Sequence, residues 1–110
     1  MSSSYIKYSM GNKDLLEISK VVKIVGGKWT LLIINSLLTG TKRFGQLQKE
    51  VGDINPRTLS KRLQELEKQG YIKRRAYAVV PPKVEYALTE KGNVFKLVVN
   101  AVKTCDKKLN

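Results

Sequence analysis

The stretch of sequence that decides the fold is residues 55–70, NPRTLSKRLQELEKQG. Asn55 is a preferred N-cap residue, and Pro56 suits the first helical position, where an N–H would have no intrahelical partner. Gly70 is typical of the residue that follows a helix C-terminus. The stretch therefore predicts a helix that begins at Pro56 and ends at Gln69.

This fourth helix of the chain has an apolar side and a polar side. Leucines 59, 63 and 66 lie within a narrow arc at about 100° per residue, so we expect them to face the core. The opposite side carries cationic, hydroxyl and amide groups that can hydrogen-bond base edges and phosphates. The candidate base-contacting residues are Arg57, Thr58, Ser60, Lys61 and Gln64. An ordinary solvated helix face has a similar composition, so the surroundings must decide between the two interpretations.

The residues before this helix predict three more helices. Helical spacing of apolar residues covers 12–25 and ends at Gly26-Gly27. Residues 28–38 form a second helix that is apolar on most sides, as a central core helix is. A short third helix is joined to the fourth by a brief turn, and together they predict a helix-turn-helix over residues 43–69.

After Gly70 the periodicity changes from helical to alternating. Residues 71–88 predict a two-stranded hairpin, with Pro81-Pro82 at its loop tip because proline cannot donate to a strand ladder. Thr89 then caps a last helix over residues 90–108. The predicted fold is a single α+β domain, mostly α-helical with one two-stranded β-hairpin.

The balance of charge is strongly basic. The chain of 110 residues has 21 Lys+Arg and 9 Asp+Glu, a net charge of +12, with half of this excess in residues 42–91 and the rest divided between the two ends. A folded domain this basic most often binds a polyanion, and nucleic acid is the first candidate. The expected contacts to the DNA backbone come from Lys42 and Arg43, which the pattern places at the start of the third helix, and from Arg74, Arg75 and Lys83.

Other features exclude catalysis and membrane insertion. There is no His and a single Cys, so the commonest general base and the usual zinc ligand sets are missing, and we expect no enzyme and no cofactor. The most apolar run, residues 29–38, is shorter than the roughly 20 residues of a membrane span. The lone Cys and the absence of a secretory signal predict a cytoplasmic, nucleoid-associated protein without a membrane partner.

Four stretches match, in order and spacing, the motifs of one known family. They are GGKWTLLI at residues 26–33, KRF at 42–44, NPRTLSKRL at 55–63 and VPPKVEYALTEKG at 80–92. On these motifs the chain resembles the HxlR family of winged helix-turn-helix transcriptional regulators, which are MarR-like. The match extends over roughly residues 22–93.

The resemblance implies a prokaryotic regulator that binds double-stranded DNA as a homodimer. It implies that the fourth helix enters the major groove and that the hairpin, residues 71–88, is a wing that contacts the backbone or the minor groove. It also implies that the terminal helices, 12–25 and 90–108, build the dimer interface. The expected interface residues are Leu15, Ile18, Val94, Val98, Val102 and Leu109.

One position departs from the family pattern. Many members carry a sensing Cys thirteen residues before the Trp, and counting back from Trp29 reaches Leu16, which has no thiol. Cys105, in the last helix, is expected to be a small buried hydrophobe. Trp29 is expected in the core, with the wall of a small effector pocket near the dimer interface as the alternative.

Two functions remain in view. The first is sequence-specific binding of a roughly palindromic operator, which Arg57, Thr58 and Gln64 favour because these side chains can discriminate bases. The second is a sequence-nonspecific, nucleoid-type or RNA-binding winged-helix protein, for which positive charge suffices. RNA recognition would call for exposed stacking aromatics, whereas the hairpin tyrosines are expected to cover the core. A winged helix that docks only proteins is disfavoured by the charge.

Overall fold

The elements follow the alternation of apolar stripes and turns along the chain. The computed structural model describes residues 12–110. Its elements are α1 (Asn12–Val25), α2 (Lys28–Leu38), β1 (Lys42–Arg43), α3 (Phe44–Glu50), α4 (Pro56–Lys68), β2 (Ile72–Tyr77), β3 (Lys83–Leu88), α5 (Glu90–Asn93) and α6 (Lys96–Leu109). The predicted mostly helical fold with a β-hairpin is confirmed.

The central helix α2 divides the core into two clusters. One cluster lies between α2, α3, α4 and β2, and it consists of Ile33, Leu37, Leu47, Val51, Ile54, Leu59, Leu63, Leu66 and Ile72. The other joins Ile34 of α2 to Phe95 and Val99. Trp29 packs against the first cluster, as expected of a core residue. Because α2 contributes to both clusters, it fixes the helix-turn-helix relative to α6.

The ends of α4 agree with the capping residues in the sequence. The Asn55 side chain accepts a hydrogen bond from the Arg57 N–H at 2.8 Å, and Pro56 occupies the first turn. At the other end the Gly70 N–H donates to the Glu67 carbonyl at 3.0 Å, and the Tyr71 N–H to the Leu66 carbonyl at 2.9 Å. This is the Schellman pattern, which needs the positive φ of 83° that Gly70 adopts.

The wing has a third strand that the sequence analysis missed. The sheet order is β1-β3-β2, with all pairs antiparallel. The prediction that Lys42 and Arg43 begin the third helix is wrong: they form β1, opposite Tyr86 and Glu85. A strand of two residues has too short a pattern to be recognised, and its extended conformation comes from pairing with β3, which is distant in sequence.

The predicted single helix over residues 90–108 is wrong in one respect, because it is divided into α5 and α6. At the junction the Phe95 N–H donates to Gly92 and the Leu97 N–H to Val94, both at 3.1 Å, which are i to i−3 bonds of a tighter turn. Phe95 is 7% exposed and its ring meets Tyr71 edge-on, with centroids 5.0 Å apart. Burial of this ring accounts for the local tightening.

No single helix among residues 12–110 is long and apolar enough to cross a membrane, although α1 and α2 together, bent by 76°, satisfy the length and composition criteria as a pair. The apolar composition of α2 is explained by its position in the core of the domain. Ile33, Ile34 and Leu37 are buried in the two core clusters.

Candidate nucleic-acid interface

The turn between α3 and α4 is held by buried side chains and by a side-chain hydrogen bond. Ile54, in this turn, is 2% exposed and inserts into the first core cluster. The Gln48 amide donates to the Ile54 carbonyl at 3.1 Å, which ties α3 to the turn. The sequence analysis did not single out Ile54, although an apolar residue within a polar turn is a signal of such an anchor. These contacts fix the angle at which α4 leaves the domain.

The side chains of α4 are sorted as its amphipathic pattern predicts. Leu59, Leu63 and Leu66 are at most 3% exposed. Of the five candidate base-contacting residues, Arg57, Lys61 and Gln64 are exposed, whereas Thr58 and Ser60 are half-buried at the edges of the polar face. The structure therefore brings all five to the side of α4 that the leucines do not occupy.

The two cations on this face have no acidic partner among residues 12–110. The ion pairs found in residues 12–110 do not include Arg57 or Lys61. On the neighbouring side, Arg62 lies 3.4 Å from the Glu65 carboxylate. The exposed face of α4 thus presents cations that are free to bind an anion.

The strand register divides the five candidate backbone-contacting residues between the two faces of the wing. Arg43, Glu85 and Arg75 lie opposite one another across β1, β3 and β2. Lys83 is on the same face, since it is two residues from Glu85. The structure therefore groups three of the predicted cations, Arg43, Arg75 and Lys83, on one face.

The other two cations, Lys42 and Arg74, lie on the opposite face, in register with Tyr86. Arg74 is exposed, but the Lys42 side chain is only 16% exposed. Its ammonium lies 3.0 Å from Glu50, which also accepts a hydrogen bond from the Ser36 hydroxyl at 2.7 Å. The Lys42 side chain is thus engaged by an ion pair within the domain, and this ion pair connects β1 to α3.

Two carboxylates that contact these cations, Glu50 in α3 and Glu85 in β3, have lowered pKa values. The Ser36 hydroxyl, and then Lys42, hold the pKa of Glu50 below its ordinary value. The pKa of Glu85 is lowered by hydrogen bonding from Tyr77 and by Lys83, with a further contribution from the charge of Arg43. Glu85 is therefore ionised at neutral pH and offsets part of the charge of its neighbours.

The face that carries Arg43, Arg75 and Lys83 also holds a groove of about 210 Å³. Its lining residues include Thr41, Lys73, Arg75, Tyr77 and Glu85. Lys73 is an exposed cation on this face that was not among the predicted backbone contacts. Its signal was the alternation along β2, which assigns Lys73 and Arg75 to one side.

Five of the six residues predicted for the dimer interface are exposed apolar side chains. Leu15 and Ile18 in α1 are 43% and 61% exposed, and Val102 in α6 is 50% exposed. Val94 and Leu109 are exposed as well, whereas Val98 is half-buried against the second core cluster. The sequence analysis missed further exposed apolar residues of the same helices, which are Leu16, Val21, Val22 and Leu97.

Cys105 differs from its expected environment. It is exposed on α6, whereas the sequence analysis predicted a buried position. The last three turns of α6 extend beyond the second core cluster, so within the described part of the chain nothing covers this side chain. Among residues 12–110 there is also no group of three acidic, Cys or His side chains arranged to bind a metal ion.

A helix-turn-helix with a cationic outer face, together with a three-stranded wing, defines the class of winged helix-turn-helix DNA-binding proteins. Residues 24–109 match the family model described as HxlR-like helix-turn-helix. The chain belongs to the HxlR family, as the resemblance indicated. It is a DNA-binding transcriptional regulator and not an enzyme.

Individual relatives agree with this assignment. The chain is 39% identical over 94 residues to the uncharacterized HTH-type transcriptional regulator YdeP of Bacillus subtilis (strain 168), which covers 86% of this chain and 73% of YdeP. It is similar to the reduced form of the redox regulator HypR, with a TM-score of 0.78, 34% identity and coverage of 84% and 91%. For the reduced form of the transcriptional regulator YodB from B. subtilis the TM-score is 0.71, with 32% identity and coverage of 86% and 89%.

Proposed function

We propose that this chain is a sequence-specific regulator that binds a roughly palindromic operator as a homodimer. Each copy inserts the N-terminal part of its α4 into the major groove. Two-fold symmetry then sets the half-site centres about 34 Å apart, or a multiple of that distance. The proposal locates the protein with the chromosome, in the cytoplasm.

The observation that carries the proposal is the division of α4 into a buried leucine face and an exposed face whose cations Arg57 and Lys61 form no ion pair within residues 12–110. Arg57 and Lys61 lie in the first two turns of the helix, which is where a recognition helix meets base edges. An Arg can bind guanine through two hydrogen bonds, and Gln64 offers an amide of the kind that pairs with adenine. Thr58 and Ser60, at the edges of the face, are assigned to bases or to the adjoining phosphates.

The wing supplies contacts that hold the DNA without reading its sequence. Arg43, Arg75 and Lys83 share one face, and three cations on one surface can follow the phosphates of a single strand. Lys42 is less suited to this role, because its ammonium is engaged by Glu50 at 3.0 Å. Arg74 is exposed on the second face and is proposed to contact the backbone from that side.

The dimer interface is proposed from the exposed apolar side chains of α1 and α6. Leu15, Ile18 and Val102 are 43%, 61% and 50% exposed, although Leu, Ile and Val are among the residues most often buried. A second copy of the same surface would remove them from water through an isologous contact. The two α4 helices would then be related by the same two-fold axis as the operator.

Redox sensing at α1 is not part of the proposal. HypR is described as a redox regulator, but this chain has a single Cys, at position 105, and Leu16 stands where the family pattern expects the sensing thiol. Leucine cannot be oxidised to a disulfide. We therefore propose that any signal that controls this regulator acts through another site.

The proposed function is tested by selecting duplexes from a random-sequence pool and measuring their affinity by fluorescence anisotropy at two salt concentrations. A shuffled duplex of equal length is the control. We expect the selected duplex to bind about a thousandfold more tightly, with a preference that persists at the higher salt concentration. Equal affinities that fall together with salt would favour the sequence-nonspecific alternative.

A further inference from the structure

A second cationic site lies away from α4 and the wing. Three lysines converge on an open cleft of about 440 Å³ between α1, the C-terminal end of α4 and α5. The residues that line the cleft are Lys20, Lys23, Ile24, Gln69, Tyr71 and Lys91. Its volume lies within the range of about 300–1,000 Å³ that is usual for small-molecule sites.

The charge of this cleft is not balanced locally. None of its lining residues is acidic. In the part of the chain that the structure describes, the ion pair found in α1 and α5 joins Lys13 to Glu17. Lys20, Lys23 and Lys91 therefore have no carboxylate within 4.0 Å there. Like charges gathered around one cleft repel one another, and an anion bound between them would relieve that repulsion.

Lys91 is already held in place for such an anion. Its ammonium donates to the Gln69 carbonyl at 2.9 Å and lies 4.7 Å from the centre of the Tyr71 ring. Neither partner neutralises the positive charge. A cation that is fixed in advance loses less conformational entropy when a ligand binds.

The cleft also has an apolar wall. Tyr71 and Ile24 are half-buried, and both pack against the second core cluster. The Phe95 ring packs edge-on against the Tyr71 ring, at an interplanar angle of 81°, and helps to fix its position. A rigid aromatic surface beside three cations suits a ligand that has a small organic part and a concentrated negative charge.

We propose that this cleft is an effector site for a small organic phosphate. The phosphate group would lie between Lys20, Lys23 and Lys91, since lysines bind phosphate as point charges, and the organic part would rest on Tyr71 and Ile24. A phosphomonoester carries nearly two negative charges at neutral pH, which matches the local excess of cations.

DNA bound at the recognition surface does not fill this site. Gln69 follows the last residue of α4, whereas the proposed base contacts begin at Arg57. Thirteen helical residues at about 1.5 Å each separate the two ends by roughly 20 Å. On α1, at about 100° per residue, Lys20 and Lys23 point about 165° and 105° away from the mean direction of Leu15, Ile18 and Val22, so a partner on that apolar side leaves the cleft open.

A ligand in the cleft would connect α1 to the end of α4. Because α1 is a proposed dimer helix, this connection would bias the orientation of the two recognition helices relative to each other. The regulatory part of the inference therefore rests on the proposed function, whereas the binding part does not. By linkage, the ligand changes DNA affinity by the same factor as DNA changes ligand affinity.

The binding part is tested without DNA, by isothermal titration calorimetry of the full chain with phenyl phosphate at low ionic strength. We expect a Kd below about 1 mM, and an affinity at least fivefold higher than for inorganic phosphate. The double variant Lys20→Gln, Lys23→Gln should lose tenfold or more. Absence of binding at 10-fold this concentration, or equal affinity for phenyl phosphate and inorganic phosphate, would overturn the assignment.

The matched control is Lys107→Gln with Lys108→Gln, which removes the same charge from exposed positions in the last turn of α6. It should bind phenyl phosphate within twofold of the unmodified chain. An equal loss in both double variants would mean a general charge effect and would contradict the site. The single variants Lys20→Gln and Lys23→Gln, each expected to lose threefold or more, keep the test decisive if the double variant fails to fold.

The regulatory part is tested by repeating the DNA titration with a selected duplex in saturating phenyl phosphate. We expect the Kd for DNA to change at least threefold for the unmodified chain and not for the Lys20→Gln, Lys23→Gln variant. An unchanged Kd, with binding intact in calorimetry, would overturn the effector role. Failure to find any selected duplex would count against the proposed function and not against the cleft.

Discussion

At the scale of single residues, Gly92 shows how the chain connects its wing to α6. The Thr89 side chain caps α5 by accepting from the Gly92 N–H at 3.1 Å and donates to the Gly70 carbonyl at 2.6 Å. These bonds bring Gly92 against the backbone of Tyr71, where an added Cβ would collide with the Tyr71 carbonyl oxygen. The position thus requires glycine because of close approach and not because of its φ angle.

The change Gly92→Ala should lower the free energy of unfolding by about 1–3 kcal/mol, the usual cost of overpacking. Helix propensity alone would predict the opposite sign, a gain of up to about 1 kcal/mol. Gly45→Ala is the control, since Gly45 is in α3 and a Cβ there meets nothing within 4 Å. Urea denaturation of both variants gives the answer; a stabilised Gly92→Ala would contradict the packing described here.

Glu50 carries a prediction about acid stability. Its pKa is lowered in the folded chain, by the Ser36 hydroxyl first and Lys42 second, from an ordinary value of 4.5. The ionised carboxylate therefore stabilises the fold above about pH 4.5, and this contribution is lost as the pH falls through the lowered pKa of the folded state. In Glu50→Gln, which has no proton to gain, the melting temperature should fall less steeply below about pH 5 than in the unmodified chain. If the melting temperatures of the two proteins fell equally steeply below about pH 5, the contacts of Glu50 would contribute nothing to acid stability.

At the scale of elements, α4 was predictable because its signals are local. Asn55, Pro56 and Gly70 mark its ends, and its leucines set its buried face. β1 was not predictable, because two residues become a strand only through pairing with Tyr86 and Glu85, more than forty positions away. The division between α5 and α6 depends on the fit of Phe95 against Tyr71, which is equally non-local.

The arrangement of charges on the wing also depends on contacts between residues that are distant in sequence. Its cations were recognisable by composition, but their distribution over two faces required the register of three strands. In that register Glu85 lies between Arg43 and Arg75, so the row carries a net charge of about +1 and not +2. Lys83, at 3.4 Å from the Glu85 carboxylate, is partly neutralised by the same group. Glu85 therefore reduces the positive charge that the wing would present to DNA phosphates in the proposed complex.

Glu85→Gln should raise the affinity for a shuffled duplex several-fold at low salt and steepen the salt dependence, since the neighbouring cations become free to contact phosphates. Fluorescence anisotropy at several salt concentrations measures both effects. Asp106→Asn makes the same change of charge in α6 and should alter neither quantity by more than twofold. If the two variants behaved alike, the effect would come from net charge and not from the wing.

At the scale of the whole molecule, the apolar residues outside the core are concentrated on two helices. Exposed Leu, Ile and Val side chains in α1 and α6 would cost about 25 cal/mol for each Å² left in water. The pattern of these residues was visible in the sequence, but their exposure was not, because an amphipathic stripe can equally face the chain's own core. The structure decides between an outward-facing and a core-facing stripe, because α2 contributes to both core clusters and leaves the apolar side of α1 exposed.

Ile18→Lys should convert the proposed dimer to a monomer, because it introduces a charge into an apolar contact. Sedimentation equilibrium should give a mass close to the 12.4 kDa of one chain for this variant and twice that for the unmodified protein. Val80→Lys is the control: Val80 is 100% exposed, but it lies between β2 and β3 and should leave the dimer intact. A monomeric unmodified chain at micromolar concentration would contradict the proposed interface.

The central claim is that α4 reads bases while the wing holds phosphates, and one comparison of variants tests it most directly. Arg57→Ala and Arg75→Ala each remove one exposed Arg, and anisotropy gives their affinities for a selected operator and for its shuffled counterpart. We expect Arg57→Ala to lose about 1–3 kcal/mol on the operator and little on the shuffled duplex, whereas Arg75→Ala weakens both duplexes equally and reduces the salt slope by about one. If the two variants changed the ratio of operator to shuffled affinity by the same factor, the division of roles between α4 and the wing would be wrong.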